Sequence, residues 1–255
     1  MRRVLAAIPA ALMAAGASAS PAELPVDLEL VLAVDVSDSV DAEEAALQRR
    51  GYVEAFRNPD VVEAIRSGPL GRIALTYVEW AGPEHQRVLI GWRLVGDGDS
   101  AAALAAELAA APRARSSATS ISAAIAFAAG QFDGNGYDGA RRVIDISGDG
   151  DNNTGPPVTE ARDAAVALGI TINGLPILSE GAMPWDVPAE GLDVYYDREV
   201  IGGPGAFTVA ARNFGDFEAA VLGKLVREIA AAPLPRLAGA WDHPRHRPAA
   251  RMPVP

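Results

Sequence analysis

The chain has 255 residues, 49% of them apolar, and carries 33 Asp and Glu against 22 Lys and Arg, a formal net charge of −11 at pH 7. That is enough apolar material for one large domain or two small ones. So acidic a balance speaks against nucleic acid or an anionic membrane as partner, and the absence of Cys excludes disulfides, thiolate metal sites and cysteine nucleophiles.

Residues 1–19 read as a secretory signal: Arg2 and Arg3, an apolar stretch from Val4 to Ala15, then Ala17-Ser18-Ala19. The apolar stretch is too short to span a bilayer. Cleavage after Ala19 would remove the two arginines and take the formal charge from −11 to −13. No later segment has membrane-spanning length. The expectation is therefore an exported, soluble protein, periplasmic or extracellular, with no stable membrane insertion after cleavage.

Residues 20–26 read as a linker. A nearly continuous apolar run over 28–34 predicts a strand covered on both faces, as in a parallel sheet. Asp41 and Glu44 have capping-box spacing, and the helix behind them runs to about Arg57, with Leu47, Val53 and Phe56 toward the core. Asn58-Pro59 breaks the pattern. Strands are predicted over 72–81 and 87–95, joined by a turn and paired antiparallel. A helix over 100–110 carries Leu104 and Leu108, and another begins near Thr119 with Ile121, Ile125 and Ala128 on one face. Residues 141–147 predict a strand, 158–168 a helix, and GITINGLPI a strand. AFTVA (206–210) is read as the last strand and 216–230 as the last helix. The domain so delimited is 27–230. The remaining segment, 231–255, holds four Arg, one Asp and six Pro without periodicity and reads as a disordered basic tail. Strands and helices alternate, which predicts a doubly wound α/β fold. Its central sheet would be mostly parallel, with helices on both faces and an antiparallel edge strand.

In such a sheet, ligands bind beyond the carboxyl ends of the strands. Asp35, Ser37 and Ser39 follow the first strand, Thr119 stands at a helix start, and Asp149 follows the strand 142–147. Two carboxylates and three hydroxyls are hard oxygen donors that suit Mg²⁺ or Mn²⁺. Neutral hydroxyls leave the ion under-neutralised, so it would still attract a carboxylate from outside. Each residue has a blander role: Ser39, Asp41 and Thr119 can each serve as a helix cap. The loop 149–160 also has partial calcium-loop spacing (Asp149, Asp151, Asn153, Glu160), but its sixth position is Thr154 rather than Gly, which makes Ca²⁺ the lesser candidate. Asp145, inside an apolar strand, needs a partner. Trp80 and Trp92 read as core or hairpin residues and Trp185 as an exposed contact. IGGPGAF (201–207) lacks the Lys-Ser/Thr of a phosphate loop.

The segment Asp35-x-Ser37-x-Ser39, Thr119 at a later helix start and Asp149 in SGDG resemble the metal-ion-dependent adhesion site of von Willebrand factor A domains. VDVSDSV, TSISAAI, VIDISGDGDNN, INGLPI and YYDREVIGGPGAF together resemble an uncharacterised family of secreted bacterial A-like proteins, over about residues 27–230. The resemblance implies that Asp35 holds the ion directly or through water and that Ser37 and Ser39 bind it through their hydroxyls. It implies further that Thr119 exchanges as the site changes state and that Asp149 acts through water. Many A domains have Thr-Asp-Gly at the third motif, where this chain has Gly148-Asp149-Gly150. The function implied is non-enzymatic: metal-dependent binding of a protein that offers a Glu or Asp carboxylate. The alternatives are a metal-dependent hydrolase outside the cytoplasm and a scaffold with a vestigial site. For the hydrolase the candidate bases are Asp38, Asp151 and Glu79.

Overall fold

The computed structural model describes residues 22–178, 188 and 190–231. Residues 1–19, read as a signal, Trp185 and the tail beyond Ala231 lie outside the described residues. The first long strand, β2 (Leu28–Asp35), is buried along its whole length. Its side chains alternate between two cores. Leu28, Leu30, Leu32 and Val34 enter one, and Val31 and Ala33 the other, as the two-residue period of a strand requires.

β2 pairs parallel with β3 (Ile73–Trp80) on one side and with β6 (Arg142–Gly148) on the other. β3 pairs antiparallel with β4 (Gln86–Val95), and β6 pairs parallel with β7 (Ile170–Pro176). The five-stranded order is β4-β3-β2-β6-β7, the doubly wound α/β arrangement with an antiparallel edge. β4 has its register shifted twice opposite Leu75–Val78, and Thr76 Oγ1 donates to the Ile90 carbonyl there.

One face is covered by α1 (Ala42–Arg57), α2 (Pro59–Arg66), α3 (Gly98–Ala110) and α7 (Phe217–Ala230). The other is covered by α4 (Ile121–Gly130), α5 (Val158–Ala167) and α6 (Leu192–Tyr195), which runs on into a π-helical turn, Tyr196–Val200. The expected core contacts hold. Phe56, Leu104, Leu108, Ile121, Ile125 and Ala128 are buried, while Leu47 is partly buried against the first core. Asp41 and Glu44 form the capping box.

Three expectations need correction. Within the segment expected to be a linker, Leu24–Val26 is a short strand, β1, paired parallel with β5 (Tyr137–Gly139). Both are three residues long, below the length at which alternation shows. Asn58-Pro59 does end α1, but Asn58 then accepts from the Asp60 N–H with Pro59 at the first turn, and α2 begins at once. Residues 206–210 are not a regular strand. They run beside β7 through isolated bridges, Gly174 with Thr208 and Ile177 with Ala211. Pro176, at the end of β7, has no N–H to continue the ladder.

Asp145 has the partner it needs. Lys224 Nζ lies 2.6 Å from its Oδ1 and 2.5 Å from Glu228 Oε1, and all three side chains are buried beneath α7.

Candidate metal centre

Asp35 ends β2 and Asp149 follows β6, the strand beside it, so pairing of the two strands brings the carboxylates to one edge of the sheet. The chain turns after Asp35, whose Oδ1 accepts the Ser37 N–H at 2.7 Å. The turn brings the Ser37 and Ser39 hydroxyls to 2.9 Å from each other, and Ser39 Oγ donates to Asp149 Oδ1 at 2.7 Å. Ser39 is therefore not a cap; Asp41 caps α1.

Thr119 is not the cap of α4 either, since Ser120 holds that place. Thr119 follows Ala118, the one non-glycine residue with positive φ (66°) among the described residues. A left-handed alanine costs about 1 kcal/mol and persists only where its surroundings hold it. Here they do. The Thr119 N–H donates to Asn153 Oδ1 at 3.0 Å, and its carbonyl accepts from the N–H groups of Asn153 and Thr154. Asn152 Oδ1 accepts the Ser122 N–H at 2.9 Å, and its own N–H reaches the Tyr195 hydroxyl. Thr119 Oγ1 lies beside Gly150, 3.8 Å from where a Cβ there would stand. Hydrogen bonds thus link Asp35, Ser37, Ser39 and Asp149 at one sheet edge, and Thr119 stands beside the residue that follows Asp149. Asn153 Oδ1 is committed to the Thr119 N–H and the Thr154 hydroxyl, which ties it to loop structure rather than to a calcium spacing.

Asp35 is electrostatically unusual among the buried acids. Five carboxylates are essentially inaccessible: Glu29, Asp35, Glu79, Asp145 and Glu228. Glu29 pairs with Arg142, Glu79 with Arg49 and Arg87, and Asp145 and Glu228 with Lys224. Among the described residues no salt bridge reaches Asp35, and its Oδ2 is buried without a hydrogen-bond partner. Burial first and the Asp149 charge second push its carboxyl up to about 8, against the pull of hydrogen bonds from Ser37 and from the Asp149 backbone N–H. Burial and the charges of Asp35 and Asp149 likewise raise the Tyr196 phenol, so it stays a donor.

This donor set fits a hard divalent cation. Adjacent oxygens around octahedral Mg²⁺ stand about 3 Å apart, given metal–oxygen distances of about 2.1 Å. The Ser37–Ser39 and Ser39–Asp149 separations are 2.9 and 2.7 Å. No cluster of three or more His, Cys, Asp or Glu occurs among the described residues, so any ion here would rest on hydroxyls as well as carboxylates. Of the candidate bases, Glu79 is held by two arginines, and Asp38 is exposed and paired with Arg115 at 2.9 Å.

Sequence pattern alone gives no role to Tyr195, Tyr196 or Asn152, and leaves Asn153 in a partial calcium spacing. The signal is nevertheless present: two adjacent amides after Asp149, and a Tyr-Tyr pair within one of the segments that carry the family resemblance.

The fold resembles that of von Willebrand factor A-type domains. Its solved neighbours include proximal thread matrix protein 1 from the mussel byssus, a structure with a zinc-occupied metal-ion-dependent adhesion site. That match has a TM-score of 0.57 and 14% identity, covering 82% of this chain and 49% of that one. They also include the pilus adhesin SpaC of Lactobacillus rhamnosus GG (TM-score 0.56, 15% identity, 82% and 31% covered). A third is a von Willebrand factor type A protein from Catenulispora acidiphila (TM-score 0.52, 14% identity, 80% and 42% covered). The chain spans about half the mussel protein and less of the other two. No curated protein matches it. The chain belongs to the family described as "Protein of unknown function (DUF1194)", whose model matches residues 25–233.

Proposed function

We propose that this protein is an exported binding module that holds one divalent cation, Mg²⁺ or Mn²⁺, on Asp35, Ser37, Ser39, Thr119 and Asp149. The carboxylate of a protein partner would complete the ion's coordination. The observation that carries this reading is Asp35. Among the described residues it is a fully buried carboxylate outside any salt bridge, set against a second carboxylate, where every other fully buried carboxylate has an Arg or Lys. A bound cation would offset that charge, as the chain's own cations do elsewhere. The neutral hydroxyls would leave the ion able to attract an anionic ligand. Of the candidate bases for hydrolysis, Glu79 is locked by two arginines and Asp38 is exposed and paired with Arg115. Among the described residues, no helix is long and apolar enough to cross a membrane.

The test is calorimetric titration of Mg²⁺ and Mn²⁺ into EDTA-stripped protein, with Asp35→Ala alongside. Zn²⁺ belongs in the series because the mussel protein carries it. Saturable one-site binding that disappears in Asp35→Ala is expected. A well-folded wild type that binds none of the three ions would overturn the reading.

A further inference from the structure

Beside the candidate metal centre, three buried polar atoms lack hydrogen-bond partners: Asp35 Oδ2, the Tyr196 hydroxyl and Trp80 Nε1. They come from three separate elements, and Gly148 brings them together. A Cβ built on Gly148 would stand 2.9 Å from Asp35 Oδ2, 2.9 Å from the Tyr196 oxygen and 3.2 Å from Trp80 Cζ2, two bonds from Nε1. The two oxygens are therefore at most 5.8 Å apart, twice 2.9 Å. One water making two hydrogen bonds of about 2.8 Å spans that distance. An acceptor and two donors also suit a buried water, which makes about three hydrogen bonds. Orphaned polar atoms are costly one by one, so two oxygens that face one point, with the edge of the Trp80 indole beside them, indicate a shared partner.

We propose that Tyr196 is a positioning residue for Asp35, joined to its inner carboxylate oxygen through one ordered water that also accepts the Trp80 indole N–H. Ser37 holds Oδ1 and the water holds Oδ2, so both carboxylate oxygens are held before any ion arrives. Tyr196 opens a π-helical turn, a feature frequent at functional sites. Its neighbour Tyr195 binds the third loop through the Asn152 N–H, so this one turn touches both acidic strand ends. Gly148 is required by close approach, because any side chain there would enter the shared space.

The contact itself does not depend on a metal. Only its effect on ion affinity rests on the function proposed above, so the two are tested separately. In EDTA, a double-mutant cycle of Tyr196→Phe and Asp35→Ala is measured by chemical denaturation. Non-additivity of at least about threefold in the unfolding equilibrium constant is expected, and additive effects would overturn the proposal whatever the metal does. In the second arm, Tyr196→Phe should weaken Mg²⁺ binding by about tenfold or more, the usual cost of losing a group that orients a ligand. Unchanged affinity would show that the tyrosine does not position Asp35 for the ion. If wild type binds no ion while the cycle is non-additive, the metal reading fails and the positioning stands. Should Tyr196→Phe fold poorly, the Trp80 indole N–H resonance of ¹⁵N-labelled wild type, assigned with Trp80→Phe, decides the matter. Slow exchange with solvent and a shift on Asp35→Ala support the bridge; fast exchange with no shift rejects it.

Discussion

Two buried acidic clusters lie on the same sheet, and they are neutralised differently. Beneath α7, Asp145 and Glu228 share Lys224, and Asn173 donates to Glu228 at 2.8 Å. At the carboxyl end of the sheet, Asp35 accepts from a backbone amide and Asp149 from a serine hydroxyl. The first cluster is sealed inside, so its cation has to be built into the chain. The second opens toward solvent through exposed Ser39, so its cation can be supplied from outside. One cluster is then a permanent part of the fold, and on the function proposed here the other is a switchable one.

The comparison is broken most severely at the built-in cation. Lys224→Met should cost about 3–5 kcal/mol in urea unfolding, because it leaves two carboxylates buried without their partner. A loss below about 1 kcal/mol would mean that they simply take up protons. Next in size, Mg²⁺ at one hundred times its Kd should stabilise the wild type by about 2.7 kcal/mol and leave Asp35→Ala unchanged. Lys224→Met, if folded, should respond like wild type, since its lesion lies in the other cluster.

The pH dependence separates the clusters further. Asp35 rises from 3.8 to about 8 on folding, chiefly through burial, and Glu228 from 4.5 to about 7, through burial and then Asp145. The folded state therefore holds protons that the unfolded state has lost. Stability from these groups is present below about pH 4 and is lost as pH rises toward 7 for Glu228 and toward 8 for Asp35, with a slope of up to about 1.4 kcal/mol per pH unit per proton. Urea midpoints in EDTA should fall across this range. Saturating Mg²⁺ should remove the Asp35 part and leave the Glu228 part; an unaltered slope would place no ion at Asp35. The smallest effect belongs to the exposed Arg115–Asp38 pair beside the site: Arg115→Ala should change stability by less than about 1 kcal/mol.

Most of the fold was legible because its signals are local. The apolar run of β2, the Asp41–Glu44 box and the Ile121, Ile125 and Ala128 face each lie within a dozen residues. The five oxygen residues were legible through strand logic: a side chain just past a parallel strand arrives at the same edge as its counterpart on the next. What escaped were pairings too short to alternate, as with Leu24–Val26 against Tyr137–Gly139. Contacts between distant loops escaped as well, as with Asn153 on Thr119 and Tyr196 beside Asp35. No periodicity encodes those, because they exist only once the sheet has ordered its strands. Lys224 is the clearest case. In the sequence it is one polar residue in an amphipathic helix, and only packing shows that its ammonium lies wholly inside.

The shifted register of β4 protects the free side of the sheet. β7 has residues 202–211 laid along it, while among the described residues no strand follows β4 in the sheet order. A long flat edge of that kind would template strand addition by a neighbouring chain, the first step of aggregation. Instead β4 is irregular opposite Leu75–Val78 and carries Arg87 and Arg93, each paired with a glutamate. Bulged and charged, it is poorly matched to any incoming strand. On the function proposed here, that leaves the acidic carboxyl end of the sheet as the place where this molecule meets others.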